Sequence, residues 1–415
     1  MESSPAPRIS KPLRAAILVA ALGYFVDVYD IALFSIVRKE SLKDLGLPDA
    51  EILSQGIYLL DLQMAGMLLG GILWGVLGDK WGRLEVLFGS IFVYSVANLL
   101  NAFVTDVPTY ALLRLVAGIG LAGEIGAGIT LVSEIMPKER RGLGTSIVAT
   151  VGVSGAVAAA VVGHVVHWRT AYIIGGVGGL LLLLLRFGAR ESGMFDAVKH
   201  DPNVRRGDLR LLFDRSRAKR YLACVMTGVP MYFFIGLVVT LSPEIGKALN
   251  LTEEVNAADA VLFYSIGVTL GDLGSGLVSQ ALKSRRRAIG WFLAGAAVVT
   301  AAILFGEGRS ATYYYALLAP GGFFIGYWCV LVTTAAEQFG TNVRSTVAAT
   351  VPNFVRGMTI PVTAAFMALR PHLGAVGAVQ AVGVVCFALA AIGLYGLRET
   401  FGSDLDYVEV DGARK

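Results

Sequence analysis

Residues 75–85 read GVLGDKWGRLE, two acidic and two basic residues packed into a short run. The stretch before it, 52–76, carries a single charged residue, Asp61, and the stretch after it, 86–105, carries none. A span of about 20 apolar residues is long enough to cross a bilayer as a helix. The motif therefore reads as a tight loop at one membrane face, joining two spanning helices.

Working outward, apolar runs recur at 15–37, 52–76, 86–105, 109–135, 143–166, 168–188, 220–243, 258–282, 286–306, 312–337, 345–370 and 373–397. Of the 415 residues, 55% are hydrophobic and 16% charged, with a mean hydropathy of +0.66. Soluble domains are nearer 25% charged, so the composition predicts a membrane protein. The longest polar stretch, 189–219, divides the twelve runs into six and six. The expected organisation is a first bundle over 1–188, a cytoplasmic linker over 189–219, and a second bundle with a cytoplasmic tail over 220–415.

Basic residues give the orientation, because Lys and Arg accumulate in cytoplasmic loops. With the N-terminus inside, 26 of the 35 fall on the cytoplasmic side and 7 on the outer side. The other two, Arg114 and Arg356, lie inside apolar runs. Both termini are expected in the cytoplasm, and the chain in the inner (plasma) membrane. The three cysteines are far apart and the four histidines show no metal spacing, so neither a disulfide framework nor a metal centre is expected. With no phosphate-binding loop and no large extramembrane segment, the chain does not read as an enzyme and needs no cofactor. Topology accounts for the basic central loop without nucleic acid.

The halves repeat. Gly66, Gly70 and Gly75 recur as Gly267, Gly271 and Gly276, each displaced by 201 residues. Glu134 and Arg141 recur as Glu337 and Arg344, displaced by 203. Duplication of a six-helix unit is a feature of secondary transporters, whose substrate site lies between the repeats. The fold class is therefore all-α and polytopic: twelve transmembrane helices in two six-helix pseudo-repeats.

GVLGDKWGRLE resembles the signature loop of the major facilitator superfamily, keeping Gly75, Asp79, Gly82 and Arg83. RLVAGIGLAGE (Arg114–Glu124) is similar to that family's pattern in helix 4, and LRETFGSDLD (Leu397–Asp406) to the closing segment of its sugar porters, with Arg398 where those have proline. The resemblance extends to the branch of sugar, phosphate and metabolite/proton symporters, through Asp27-Val-Tyr-Asp30 and Ala122-Gly123-Glu124. No proline falls in 142–166, where drug antiporters of the family carry a Gly-Pro motif.

Charges inside apolar runs are costly and mark functional sites. From a rise of 1.5 Å per residue, Asp30 lies roughly 10 Å from the outer end of its helix and Arg114 about 8 Å from the outer end of its own, in one layer. In sugar porters an aspartate of helix 1 pairs with this arginine, and the matching positions are Asp30 and Arg114. A carboxylate beside Arg keeps its charge, whereas one cut off in an apolar site takes a proton. The pair is either a proton-coupling switch or a static staple between helices 1 and 4. Asp27 lies one turn deeper on nearly the same face.

Glu124 and Arg356 are expected near mid-depth in opposite halves, either lining the central cavity or bridging it as an ion pair. Proton coupling is assigned to Asp30, Asp27, Glu124 and Arg114. Substrate contacts are assigned to Arg356, Glu124, Asp61, Gln63, Tyr232, Asn353, Tyr327 and Trp328. Because helix 7 has no counterpart of Asp27 and Asp30, proton handling is expected in the first half. Asp79, Arg83, Glu134, Arg141, Glu337 and Arg344 are expected to gate the cytoplasmic face.

These features predict a monomeric symporter that takes up a small polar metabolite, preferably an organic anion, with protons. The alternatives are a uniporter, a sugar or organic-cation carrier, or a membrane sensor that binds without transporting.

Overall fold

Residues 11–81, 83–124, 141–185 and 214–402 are described in a computed structural model, and they contain no β-strand. Helices in the first half are α1 (Lys11–Asp44), α2 (Asp49–Trp81), α3 (Arg83–Asn101), α4 (Val107–Leu121), α5 (Arg141–Val165) and α6 (Trp168–Leu185). In the second half α7 (Arg215–Phe233) continues through a π-helical turn, Phe234–Val239, to the short α8 (Ser242–Ala248). Then come α9 (Ala257–Ala281), α10 (Arg285–Leu304), α11 (Ala311–Ile325), α12 (Trp328–Glu337), α13 (Thr341–Gly357) and α14 (Thr359–Gly396).

The starts of these helices follow from side chains that accept otherwise orphaned amide protons. Asp106 accepts from the Thr109 amide at 2.8 Å, Asn256 from the Ala258 amide at 2.8 Å, and Ser310 from the Tyr313 amide at 3.1 Å. The corner inside α14 is Gly374, whose φ of 70° suits glycine. It falls at the start of the predicted run 373–397. Seven helical stretches of the described residues are long and apolar enough to cross a membrane. Exposed Leu184, Leu277, Val298 and Val384 face outward, as lipid-facing side chains do. The protein is a multi-pass membrane protein.

Helix α2 lies against α4, α3 against α4 and α6, and α1 against α5 and α6. In the second half α9 lies against α11 and α7 against α14. The two sets meet through α5 with α9, α2 with α13, and α1 with α9.

The repeated glycines explain two of these pairings. A Cβ on Gly66 would run into the carbonyl of Leu115, and one on Gly70 into that of Ile119. Their counterparts Gly267 and Gly271 stand in the same relation to the carbonyls of Ala319 and Phe323. Close approach of backbones through small residues is how helices associate in lipid. The third pair, Gly75 and Gly276, has open space around it and serves no such contact.

Outside the membrane, Glu399 of the LRETFGSDLD segment closes the start of α10. It accepts from the hydroxyl of Ser284, from the amide of Arg285 at 2.8 Å and from that of Arg286 at 3.3 Å. Partial burial pushes its carboxyl up, but these hydrogen bonds and the one from the Phe401 amide outweigh burial and hold it below the usual glutamate range. A carboxyl depressed in the folded state stabilises it above the unfolded value, about 4.3, and loses that contribution as pH falls through the folded value. Glu399→Gln is therefore expected to lower the unfolding temperature in detergent at pH 7, with the gap to wild type closing as the buffer is taken toward pH 4.

Candidate functional site

A cavity of about 120 Å³ lies where the two sets of helices meet. Helix α1 presents Tyr24, Val28, Ile31, Ala32 and Ser35 to it, a helical spacing that makes one stripe. Opposite stand Tyr232 of α7, Tyr264, Ser265 and Asp272 of α9, and Arg356 of α13. Gly326 and Trp328 enter at the break between α11 and α12. The wall is thus largely apolar and aromatic, with a few polar groups, as small-molecule sites are.

Arg356 is the cation of this wall. It is buried, with 2% of its surface exposed. Its Nε donates to the Tyr232 hydroxyl at 3.0 Å, and its Nη2 to Asp27 Oδ2 at 3.3 Å. Its Nη1 has no hydrogen-bond partner. Tyr232 in turn meets Trp328 edge-on, with ring centroids 6.1 Å apart. Tyr24 lies within electrostatic reach of Asp272, Arg356 and Asp27.

The ion pair between the halves therefore differs from the expected one. Arg356 bonds Asp27 of α1, whereas Glu124 turns toward α3, where the Ser90 hydroxyl donates to it at 3.2 Å. The cause is helix geometry. Three residues rotate a helix by about 300°, so Asp27 and Asp30 differ by about 60° in direction as well as in depth: Asp27 crosses to α13 while Asp30 stays within the first half.

Asp30 Oδ1 lies 4.0 Å from Arg114 Nη1, in the common layer that helix rise predicts. Arg114 is fully buried, its guanidinium 4.6 Å above the Phe34 ring, and none of its nitrogens makes a hydrogen bond. The contact is loose, with the cation also held by the aromatic face.

Of the other predicted contact residues, Tyr232 and Trp328 line the cavity beside Arg356, and the rest lie outside its wall. The Tyr327 hydroxyl is turned away, donating to the Thr227 carbonyl at 2.9 Å. Asn353 donates to the Ala122 carbonyl at 3.1 Å, joining α13 to α4, and Asp61 accepts from Thr363 at 2.7 Å. Gln63 is buried against α4, where its own carbonyl faces Gly118. Among the predicted gating residues, Glu337 accepts from Thr400 at 2.6 Å and from Arg285 at 3.5 Å. Glu134 lies outside the described residues, as do the side chains of Asp79, Arg83, Arg141 and Arg344.

Two features escape a reading of the sequence. Asp272 is a buried carboxylate in the cavity wall, contributed by the second half and not among the expected site residues. Its signal was an acid in the otherwise uncharged run 260–282. The second is a latch at the end of the molecule where α1 and α8 meet. There Arg38 bonds Glu244 at 2.6 Å, and Ser35 bonds Thr240 at 2.8 Å.

With the geometry in view, comparison with known proteins is direct. The Major Facilitator Superfamily profile matches residues 20–357. The chain belongs to that superfamily. It is 25% identical over 350 residues to a putative niacin/nicotinamide transporter of Bacillus subtilis, covering 81% of this chain and 84% of the relative. It is 24% identical over 355 residues to a gentisate transporter of Corynebacterium glutamicum, covering 80% of this chain and 76% of that one. Among solved structures, a D-xylose-proton symporter superposes with a TM-score of 0.71 at 17% identity, over 94% of this chain and 99% of the other. That similarity is one of fold. This member of the superfamily is a transporter, not an enzyme.

Removing one partner of a buried ion pair leaves an uncompensated charge and costs about 3–5 kcal/mol, whereas replacing both by apolar residues is often neutral. Asp27→Leu alone is expected to lower stability in detergent by that order. The Asp27→Leu/Arg356→Met pair should recover most of it, as a double-mutant cycle of unfolding measurements would read.

Proposed function

We propose that the protein is a proton-coupled symporter that takes up a small single-ring carboxylate by alternating access. The observation that carries the reading is Arg356: a buried guanidinium in an aromatic-walled cavity, with Nη1 free to receive a ligand oxygen. Arginine binds carboxylates through paired N–H groups. An engineered cavity of ~150 Å³ takes up benzene, so about 120 Å³ suits one ring and little more. The relatives named for niacin/nicotinamide and for gentisate accord with a compact aromatic acid. A carrier of simple organic cations would place Arg356, the one cavity-wall cation among the described residues, against its own substrate.

Coupling follows from competition at that arginine. Asp27 occupies Nη2. A substrate carboxylate that takes both terminal nitrogens displaces it, and a displaced, buried Asp27 is stable only with a proton. Proton and anion binding thus favour each other, as linkage requires. Asp30 and Arg114 form a second, looser acid–arginine pair outside the cavity wall.

With the N-terminus cytoplasmic, the Arg38–Glu244 latch lies on the outer side and closes the cavity to that face. The two bundles, 1–188 and 220–415, then rock about the site while the linker 189–219 stays in the cytoplasm. The working unit is a monomer in the inner membrane.

Two measurements test this. Arg356→Gln should weaken nicotinate, benzoate or gentisate binding to purified protein by roughly two orders of magnitude; unaltered binding of whichever acid wild type takes would refute the site. In proteoliposomes, external acid should drive accumulation of that acid. Asp27→Asn should abolish accumulation while sparing exchange, and full acid-driven accumulation in that variant would refute coupling through Asp27.

A further inference from the structure

The symport scheme leaves Asp272 without a task. Its structural duty is at the start of α12, where it accepts from the Cys329 amide at 3.3 Å, from the Trp328 amide and from the Cys329 thiol. An asparagine carbonyl accepts such an amide as well and brings no charge into the membrane. The charge itself calls for a reason.

Counting charges supplies one. Among the described residues, the cavity wall holds one cation, Arg356, and one carboxylate, Asp272, and Asp27 bonds Arg356 from behind. Suppose a monocarboxylate occupies Arg356 and Asp27 carries the proton. Arginine and ligand then cancel, and Asp272 is left as a negative charge in a largely apolar wall. It accepts from the Cys329 and Trp328 amides and the Cys329 thiol, but no cation of the described residues bonds it. Arg114 lies with Asp30, and Glu124, held by Ser90, is one more acid. The Ser265 hydroxyl donates to the Val261 carbonyl at 2.6 Å, and the Tyr232 oxygen accepts from Arg356. An unbalanced buried charge is strongly disfavoured. A ligand with a cation on its far side removes the deficit, and the filled cavity is then neutral with a single proton aboard; a neutral hydrogen-bond donor leaves the charge but pairs the carboxylate.

We propose that Asp272 is a specificity residue, selecting single-ring carboxylates that carry a donor group, an ammonium above all, on the side of the ring away from the carboxylate. This rests on the reading of Arg356 as the carboxylate site. The cavity thus recognises an amphoteric molecule by its two ends, Arg356 at one and Asp272 at the other, with Tyr24 within reach of both.

The test is a binding series by calorimetry on the purified full-length protein at pH 7, with benzoate, 3- and 4-hydroxybenzoate, and 3- and 4-(aminomethyl)benzoate. A buried acceptor left unpaired weakens binding on the order of tenfold. Wild type should therefore bind one hydroxybenzoate about tenfold more tightly than benzoate, and one aminomethyl isomer more tightly still. Asp272→Asn should bring the aminomethyl and parent ligands to within about twofold of each other, and Arg356→Gln should weaken all five. Equal wild-type affinities for benzoate and every substituted ligand overturn the proposal, and this comparison needs no variant to fold. So does a preference that persists in Asp272→Asn. If no acid binds wild type, or Arg356→Gln binds as wild type does, the carboxylate site itself fails; loss in Arg356→Gln without discrimination among ligands condemns Asp272 alone.

Discussion

A guanidinium held inside a membrane by one carboxylate from the other half of the molecule is the constraint on which this structure turns. Neither charge is tolerable there alone. Arg356 and Asp27 therefore tie α13 to α1. The tie is incomplete by construction, because Tyr232 and Asp27 satisfy two of the guanidinium nitrogens and leave the third. A fully satisfied pair would be a staple. A pair with one open valence is a staple that another anion can contest.

The surrounding backbone makes such a pair possible. Glycines at the α2–α4 and α9–α11 crossings bring helix axes close enough that main-chain carbonyls occupy the space a side chain would fill. Each half thereby becomes a firm support, so that the ionic contact lies between supports and not within one. Near the cavity regular helix gives way twice: at the π-helical turn after Phe233, and at the break at Gly326 and Tyr327. Irregular backbone at membrane depth is tolerated where it is buried in protein or lines a cavity. At the second break, a Cβ on Gly326 would strike the backbone of Gly271 and Asp272, so the broken strand of chain lies directly on the helix that bears the cavity's acid.

Much of this was legible in the sequence, and the rest was not, for physical reasons. Helix rise alone placed Asp30 and Arg114 in one layer, since depth along a helix depends only on residue count. The repeat of Gly66 and Gly70 as Gly267 and Gly271 was readable because small residues at helix crossings leave no alternative side chain. Azimuth was the missing coordinate. Glu124 and Arg356 were matched by depth, but Glu124 faces α3 and Ser90, and the arginine turns to Asp27 instead. The same gap misplaced Tyr327, whose ring is at cavity depth yet points into α7. Asp272 escaped because an acid was sought in the helix equivalent to α1, while the second half carries it one helix later, on α9.

The asymmetry between the halves is itself informative. Duplication would place equivalent acids in α1 and α7, yet α7 contributes to the cavity only Met231 and Tyr232, and the second half's acid and cation sit on α9 and α13. In the proposed scheme the first half supplies the group that exchanges an arginine for a proton, Asp27, and the second supplies Arg356 and Asp272 in the cavity wall. A substrate bound to those two residues contacts mainly the second half, and its charge is sensed across the interface by Asp27. That scheme divides binding and coupling between two supports. That division lets a local exchange of ion-pair partners alter the contact between the halves: once Arg356 turns to the substrate, the only ionic tie that joins α1 to α13 in the described residues is gone.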